Sequence, residues 1–315
     1  MKGWFDRCLD AAGIHDPRLR AAYEQCRQVN ALHGKTYYLS SLLLPQDRRP
    51  HVFALYAFSR KADEFVDDLE HPDPEGLVAW GESAMLVLGK GTGITSAVDP
   101  VVTATAHTVA QFDLDLSLFA DFLTAMRQDI DTTRYETFED LRGYMWGSAA
   151  VIGLMMLPLL GPIHPAAREH AIALGEAFQL ANFIRDVGED LQRGRVYLPM
   201  QDLAQCGVTP EDLANGQITP AVRSLLQLEI RRARETFAFA QQGVALVRPE
   251  SRPCLATAIT LYRGILDEVE KADYQVLTRR VSVPDRTRAA VALPALGRAV
   301  LARREAASWH SATPG

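Results

Sequence analysis

Cysteine is scarce and scattered in this chain. Its four cysteines in 315 residues, Cys8, Cys26, Cys206 and Cys254, form no CxxC pair and have no histidine at zinc-ligand spacing. That excludes a disulfide framework or a zinc ribbon and fits a reducing compartment. Neither GxxxxGK[ST] nor GxGxxG occurs, so the usual nucleotide cradles are missing as well. Basic charge is not in excess: 33 Lys and Arg stand against 39 Asp and Glu, and a net charge of -6 gives no drive toward nucleic acid. Runs of β-branched residues with period-two alternation are rare, and no repeat of about 20 to 50 residues is visible. Residues 1–17 carry Asp6, Arg7, Asp10 and Asp16 and lack the apolar stretch of a secretory signal, so a cytoplasmic location is expected.

Helical periodicity is what the sequence does contain. With 48% hydrophobic residues a sizeable core can form. Helical windows read at 21–29, 48–69, 101–111, 116–126, 138–157, 166–192, 220–247 and 254–277, separated by breakers at 71–76, 89–100, 161–165, 207–219 and 249–253. No breaker is long enough for a domain linker. The expectation is an all-α chain, one domain over 1–315 with its core at about 30–285 and a frayed tail at about 308–315. Residues 143–163 carry no charge and approach the length of a membrane span. Three glycines ahead of Pro158 make an isolated span unfavourable, so a buried helix is expected, with membrane contact left as a surface property. The small residues Gly147, Ser148, Ala149, Ala150 and Gly153 either line a narrow tunnel for a hydrocarbon or let helices pack closely.

Two polar stripes interrupt otherwise apolar helices. Tyr56, Arg60, Asp63 and Asp67 fall within about 60° on one helical face, and Ala57, Phe58, Ala62, Phe65, Val66 and Leu69 surround them. Gln179, Asn182, Asp186 and Asp190 fall within about 80° on another, flanked by Phe178, Leu180, Ala181, Phe183 and Ile184. Four carboxylates facing one interior repel each other and require cations. Magnesium suits such hard oxygen donors, and it commonly completes its coordination with substrate phosphate. Arg60, Arg185, Arg193, Arg195 and Tyr197 lie where phosphate oxygens can be met. Metal, diphosphate and an apolar wall together point to ionisation of an allylic diphosphate in a dry site.

At these residues the sequence resembles the squalene/phytoene synthase family of head-to-head prenyltransferases. The resemblance runs from about His33 to Arg280. It is carried by His33-Gly-Lys-Thr-Tyr-Tyr-Leu with Leu44-Pro45, by Tyr56 through Asp68, by Tyr144-Met-Trp-Gly-Ser-Ala-Ala-Val-Ile-Gly153, and by Gln179 through Pro199. It implies an isoprenoid-synthase-type helical bundle around a central cavity. It also implies that Asp63, Asp67, Asp186 and Asp190 hold magnesium (manganese in its place), with Asn182 and Gln179 supporting the second site. Arg60 and Arg195 would assist diphosphate. His33, Tyr37, Tyr56, Tyr144, Tyr197 and Tyr274 correspond to positions near the reacting ends. Glu64 and Asp68 are expected further out, and Gly34 stands where the family often has a small hydroxyl residue.

The motifs look most like bacterial phytoene synthases, which join two geranylgeranyl diphosphates through a cyclopropyl diphosphate and finish by proton loss without NADPH. Transient contact with the inner face of the membrane and handover of product to a desaturase are expected with such a substrate. The alternatives are a C30 member of the family acting on farnesyl diphosphate (squalene, dehydrosqualene or presqualene diphosphate synthase), a terpene cyclase sharing the Asn182, Asp186, Asp190 spacing, and a non-catalytic assembly factor. A C15 preference follows if Met155, Met156 or Leu157 plugs the tunnel.

Overall fold

Side-chain caps mark the start of several helices. Asp16 Oδ1 accepts from the backbone N–H groups of Arg18 and Leu19, with Pro17 at the first helical position. Asp99 before Pro100 and Thr219 before Pro220 repeat this pattern, and Thr137 with Asp140 closes a capping box. In the computed structural model, which describes residues 3–67, 73–90 and 99–312 and omits the side chains of Asp67 and of residues 306–312, the helices follow in order. They are α1 (Trp4–Ala11), α2 (Pro17–His33), α3 (Lys35–Ser41), α4 (Arg49–Asp67), α5 (Pro74–Lys90), α6 (Pro100–Phe112), α7 (Leu116–Asp131), α8 (Phe138–Met145), α9 (Val151–Leu160) and α10 (Ala167–Gln192). After them come α11 (Met200–Gln205), α12 (Pro210–Ala214), α13 (Pro220–Gln242), α14 (Arg252–Lys271) and α15 (Asp285–Ala312). No strand occurs among the described residues, where β-pairing is confined to two isolated bridges. The expected all-α class is the observed one.

Several boundaries differ from the sequence expectation for identifiable reasons. The window at 138–157 is not one α-helix: a π-helical turn, Trp146–Ala150, joins α8 to α9, and α9 continues past Pro158 to Leu160. α9 stops at Leu160, two residues after Pro158, with left-handed Gly161 as its C-cap. The window at 254–277 ends early, at Lys271, because Asp273 and Tyr274 adopt positive φ and turn the chain out of the helix. A long α15 that periodicity does not show runs to Ala312, into the segment 308–315 expected as a tail, of which 313–315 lies outside the described residues. α1 and α5 were likewise outside the expected windows. Of the first breaker, 71–72 lies outside the described residues, as does 91–98 of the second.

The charge-free segment 143–163 is a core element over much of its length. Tyr144, Met145, Val151, Leu154, Met155 and Leu159 are buried. Two glycines set how closely it meets α10. A Cβ on Gly153 would sit 2.2 Å from the Ala171 carbonyl oxygen, and one on Gly175 would sit 2.3 Å from that of Ala149. The helices therefore cross with backbones in contact, so the close-packing role of these small residues is realised. Ser148, Ala149, Ile152, Gly153, Met156 and Leu157 also border a large cavity, so the same segment supplies an apolar wall.

Candidate active site

A cavity of about 1310 Å³ collects both acidic stripes. Tyr56, Arg60 and Asp63 reach it from α4, and Gln179, Asn182, Asp186 and Asp190 reach it from α10. Asp67 is the last residue of α4, and its side chain, like all of Asp68, lies outside the described residues. His33 at the end of α2, Tyr37 on α3, Tyr144 on α8 and Arg195 and Tyr197 after α10 also line the cavity. Glu64 is exposed, with its carboxylate 3.6 Å from Arg60 Nε. Tyr274 is not brought to this cavity. Its hydroxyl accepts from Gln227 Nε2 at 3.2 Å and the Arg223 guanidinium lies 4.9 Å from its ring centre, because the left-handed turn at Asp273 and Tyr274 directs it toward α13.

The polar end is arranged around α10. The Arg185 guanidinium donates to both oxygens of Asp186, the Nε contact measuring 2.7 Å. Arg280, from the segment after α14, adds an ion pair of 3.0 Å to Asp186 and reaches Glu189 at 3.3 Å. Gly188 makes that approach possible: a Cβ there would lie 2.4 Å from the Leu277 carbonyl oxygen, and its N–H donates to the Val276 oxygen at 3.2 Å. Burial and the neighbouring Asp186 carboxylate raise Asp190 to about 7, despite opposing attraction from Arg193 and Arg195. Arg280 and Gly188 escaped sequence reasoning, although a glycine inside Asp186-Val-Gly-Glu-Asp190 was a signal that another backbone comes close.

A second group of residues orders the tyrosines. Asp129 is buried on α7, where its Oδ2 accepts from the Tyr144 hydroxyl at 2.6 Å and its Oδ1 from the Tyr197 hydroxyl at 3.0 Å. Its backbone oxygen accepts from Arg195 at 2.8 Å. Tyr197 stacks on Phe183 with ring centres 4.3 Å apart. Burial, followed by the charge of Asp129, drives the Tyr144 and Tyr197 hydroxyls well above the ordinary tyrosine range, so both remain protonated donors. Sequence reasoning missed Asp129, yet it continues the buried register of Phe122 and Met126 on α7, an unusual place for a carboxylate. Tyr262 of α14 was missed too. It packs 5.0 Å from Tyr37 and 4.3 Å from Phe178, between ring centres, and burial raises it to about 12.

Oxygen donors for a divalent cation are present at the polar end. Asn182 Nδ2 is turned to Gln179 Oε1 at 3.4 Å, and the buried Asn182 Oδ1 has no hydrogen-bond donor among the described residues. That orphaned oxygen and the desolvated Asp190 carboxylate suit a hard cation. No group of three or more His, Cys, Asp or Glu side chains is gathered at metal-binding distance among the described residues, so the fit rests on an amide as well as carboxylates. Away from this end the walls turn apolar: Ile152, Met156, Leu157, Leu160, Leu174 and Val247 lead to Ala167, His170 and Gly243. Met155 is buried outside that lining.

Helices enclosing a cavity with carboxylates and guanidiniums at one end and a long apolar wall at the other define an isoprenoid synthase fold, and the chain is a prenyltransferase. A family model described as squalene/phytoene synthase matches residues 31–287, and the chain belongs to that family. The phytoene synthase of Arthrospira platensis is 37% identical over 278 residues, covering 84% of this chain and 88% of the relative. The 15-cis-phytoene synthase of a Synechocystis species is 39% identical over 277 residues, 84% of this chain and 81% of the relative. A crystal structure of a dehydrosqualene synthase with ligand superposes with a TM-score of 0.77 at 28% identity, covering 91% of this chain and 98% of that one. Phytoene synthase function is what these relatives support.

Proposed function

We propose that the chain condenses two geranylgeranyl diphosphates head to head, through a cyclopropyl diphosphate, to phytoene, releasing two diphosphates without a reductant. The observation that carries this reading is the cavity itself. At about 1310 Å³ it exceeds the roughly 300–1,000 Å³ usual for one small ligand, and its lining joins a cluster of carboxylates and guanidiniums to a long run of apolar side chains. Two long prenyl chains can share the apolar part while both diphosphates remain among arginines and carboxylates.

Asp63, Asp67, Asn182, Asp186 and Asp190 would hold magnesium, or manganese in its place, and Gln179 would orient the Asn182 amide. When bound, the ions supply Lewis-acid stabilisation of the departing diphosphate. Arg60 and Arg195 meet phosphate oxygens that the ions leave uncovered. Tyr37, Tyr56 and Tyr144 border the region between the diphosphate end and the apolar wall, where their ring faces stabilise developing positive charge. Tyr197 shares the Asp129 carboxylate with Tyr144 and fixes its position. The apolar lining excludes water that would quench the cation. His33 flanks the solvent end, where departing diphosphate leaves.

The substrate and product partition into lipid, so the chain works in the cytoplasm against the inner face of the membrane and passes product to a desaturase. Incubation with Mg²⁺ and prenyl diphosphates of 10, 15 and 20 carbons, followed by mass measurement of the extracted hydrocarbon, tests the reading. A C40 product from the C20 substrate without NADPH is expected. C30 products alone, with no turnover of the C20 substrate, would replace it with the farnesyl-using reaction, and a cyclised product of one substrate would replace it with a cyclase.

A further inference from the structure

Four of the ten large apolar side chains that stand exposed among the described residues sit on α15: Leu293, Leu296, Val300 and Leu301. Leu293 is 70% exposed and Leu301 58%. At 100° per residue the four fall within an arc of about 140°. The opposite side of α15 is already occupied, because Ala292, Ala295 and Ala299 are buried where the helix packs on α14 and on the 3-10 turn Pro249–Ser251. Small alanines hold α15 close to the body and leave its larger side chains facing outward. α15 carries large apolar side chains on its outer face besides the small ones on its inner face, so it lacks the wholly polar outer face usual at a protein–water boundary.

The charged residues of α15 indicate what covers the outer face. Five arginines (Arg286, Arg288, Arg298, Arg303 and Arg304) stand against Asp285 and Glu305, in a chain whose net charge is -6. Arg286, Arg298 and Arg304 are exposed. By the same helical geometry Arg286 and Arg304 lie near the middle of that arc, one toward each end of the helix, and Arg298 stands about 60° beyond its edge. Arginines of that kind can reach to headgroup phosphates while leucines enter the acyl boundary. A second copy of the chain is a poorer occupant. Pairing two such stripes antiparallel would set Arg286 of one against Arg304 of the other, and parallel pairing would oppose identical arginines. The helix also leads to the site, since Val283 and Pro284 just before α15 and Asp285 and Arg288 in its first turn line the cavity.

We propose that the outer face of α15 docks on an anionic phospholipid bilayer and seats the cavity entrance against the membrane. This rests on the membrane contact proposed above and assigns it to one helix, not to the apolar segment 143–163. The occupant is lipid surface, bound in the interface plane and not spanned.

The test is flotation of the full chain with vesicles of phosphatidylcholine alone or with about a third phosphatidylglycerol, at about 0.1 M and 1 M salt, where screening lengths differ roughly threefold. Binding to the anionic vesicles that weakens at high salt is expected. Arg286→Gln with Arg298→Gln and Arg304→Gln should lower partitioning roughly 100-fold, and Leu293→Ser with Leu296→Ser and Leu301→Ser at least about tenfold. Both triple variants should turn over detergent-dispersed substrate at the parental rate, which separates docking from chemistry and shows that the variants fold. Wild-type flotation unchanged in both variants would overturn the assignment to α15 while leaving membrane contact in place. Absence of wild-type flotation would overturn both. Dimers in sedimentation velocity that the leucine variant abolishes, without vesicle binding, would assign the face to a second copy. Loss of prenyl transfer in the parent, with flotation intact, would overturn the activity reading alone.

Discussion

Gly188→Ala tests whether backbone packing sets the polar end of the cavity. The added methyl would meet the Leu277 carbonyl oxygen at 2.4 Å and the Val276 oxygen at 2.7 Å, where ordinary contact begins at 3.4 Å. Both obstacles are backbone, so the segment after α14 must retreat from α10 by about 1 Å. Two costs follow. Overpacking of this kind destabilises by about 1–3 kcal/mol, and stretching the Gly188 N–H to Val276 bond costs about 0.5–1.5 kcal/mol more. The same retreat withdraws Arg280 from Asp186, lengthening a 3.0 Å ion pair to about 4 Å. Misplacement of a site by about 1 Å can cost on the order of 100-fold in rate. Urea melts should therefore show a loss of about 2–4 kcal/mol, and steady-state kinetics a large fall in kcat/KM. Arg280→Ala added to Gly188→Ala should cost much less than Arg280→Ala alone, because the two changes remove one contact. Gly188→Ala within about 0.5 kcal/mol of the parent and within about twofold in rate would refute the argument.

Asp63→Ala and Asp186→Ala should each lose at least about 100-fold in turnover, roughly 2.7 kcal/mol of transition-state stabilisation, with unchanged helical circular dichroism; near-normal kinetics at saturating substrate would rule out the metal assignment. Asp129→Ala leaves two buried tyrosine hydroxyls without their acceptor, and calorimetry should find a loss of about 2–6 kcal/mol, at about 1–3 for each. Burial raises Glu229 to about 7 in the folded chain even with Arg232 beside it, so its stabilising share is complete below its unfolded pKa and fades as pH climbs through about 7. Asp190 is raised into the same range, so melting of the parent should fall between pH 5 and 8 through both groups, and Glu229→Gln should remove on the order of 3 kcal/mol of that fall; an identical slope would assign it elsewhere. Ala171→Phe, which fills the apolar wall, should shift acceptance from C20 toward C15 substrate in the product-mass assay, and an unchanged chain-length profile would remove Ala171 from the specificity wall.

The two polar stripes, the all-α class and most helix positions were legible in the sequence because an α-helix is a local object. Residues three, four, seven and eleven apart share a face whatever the rest of the chain does, so Tyr56, Arg60 and Asp63 and the set from Gln179 to Asp190 could be placed on their faces from spacing alone. α15 was harder to see because its apolar residues lie on both faces, one against α14 and one outward, which leaves no amphipathic signal. Tyr274 was misjudged because two consecutive residues at positive φ redirect it, and no motif announces that turn. Tertiary structure alone decided which distant residues share the cavity. Asp129 meets Tyr197 across 68 positions, and Arg280 meets Asp186 across 94. Such pairs depend on where helices cross, and the crossings depend on side-chain volume at contacts like Gly153 with Ala171 and Gly188 with Leu277. Periodicity names the face a residue occupies; only close packing between remote segments determines what that face meets.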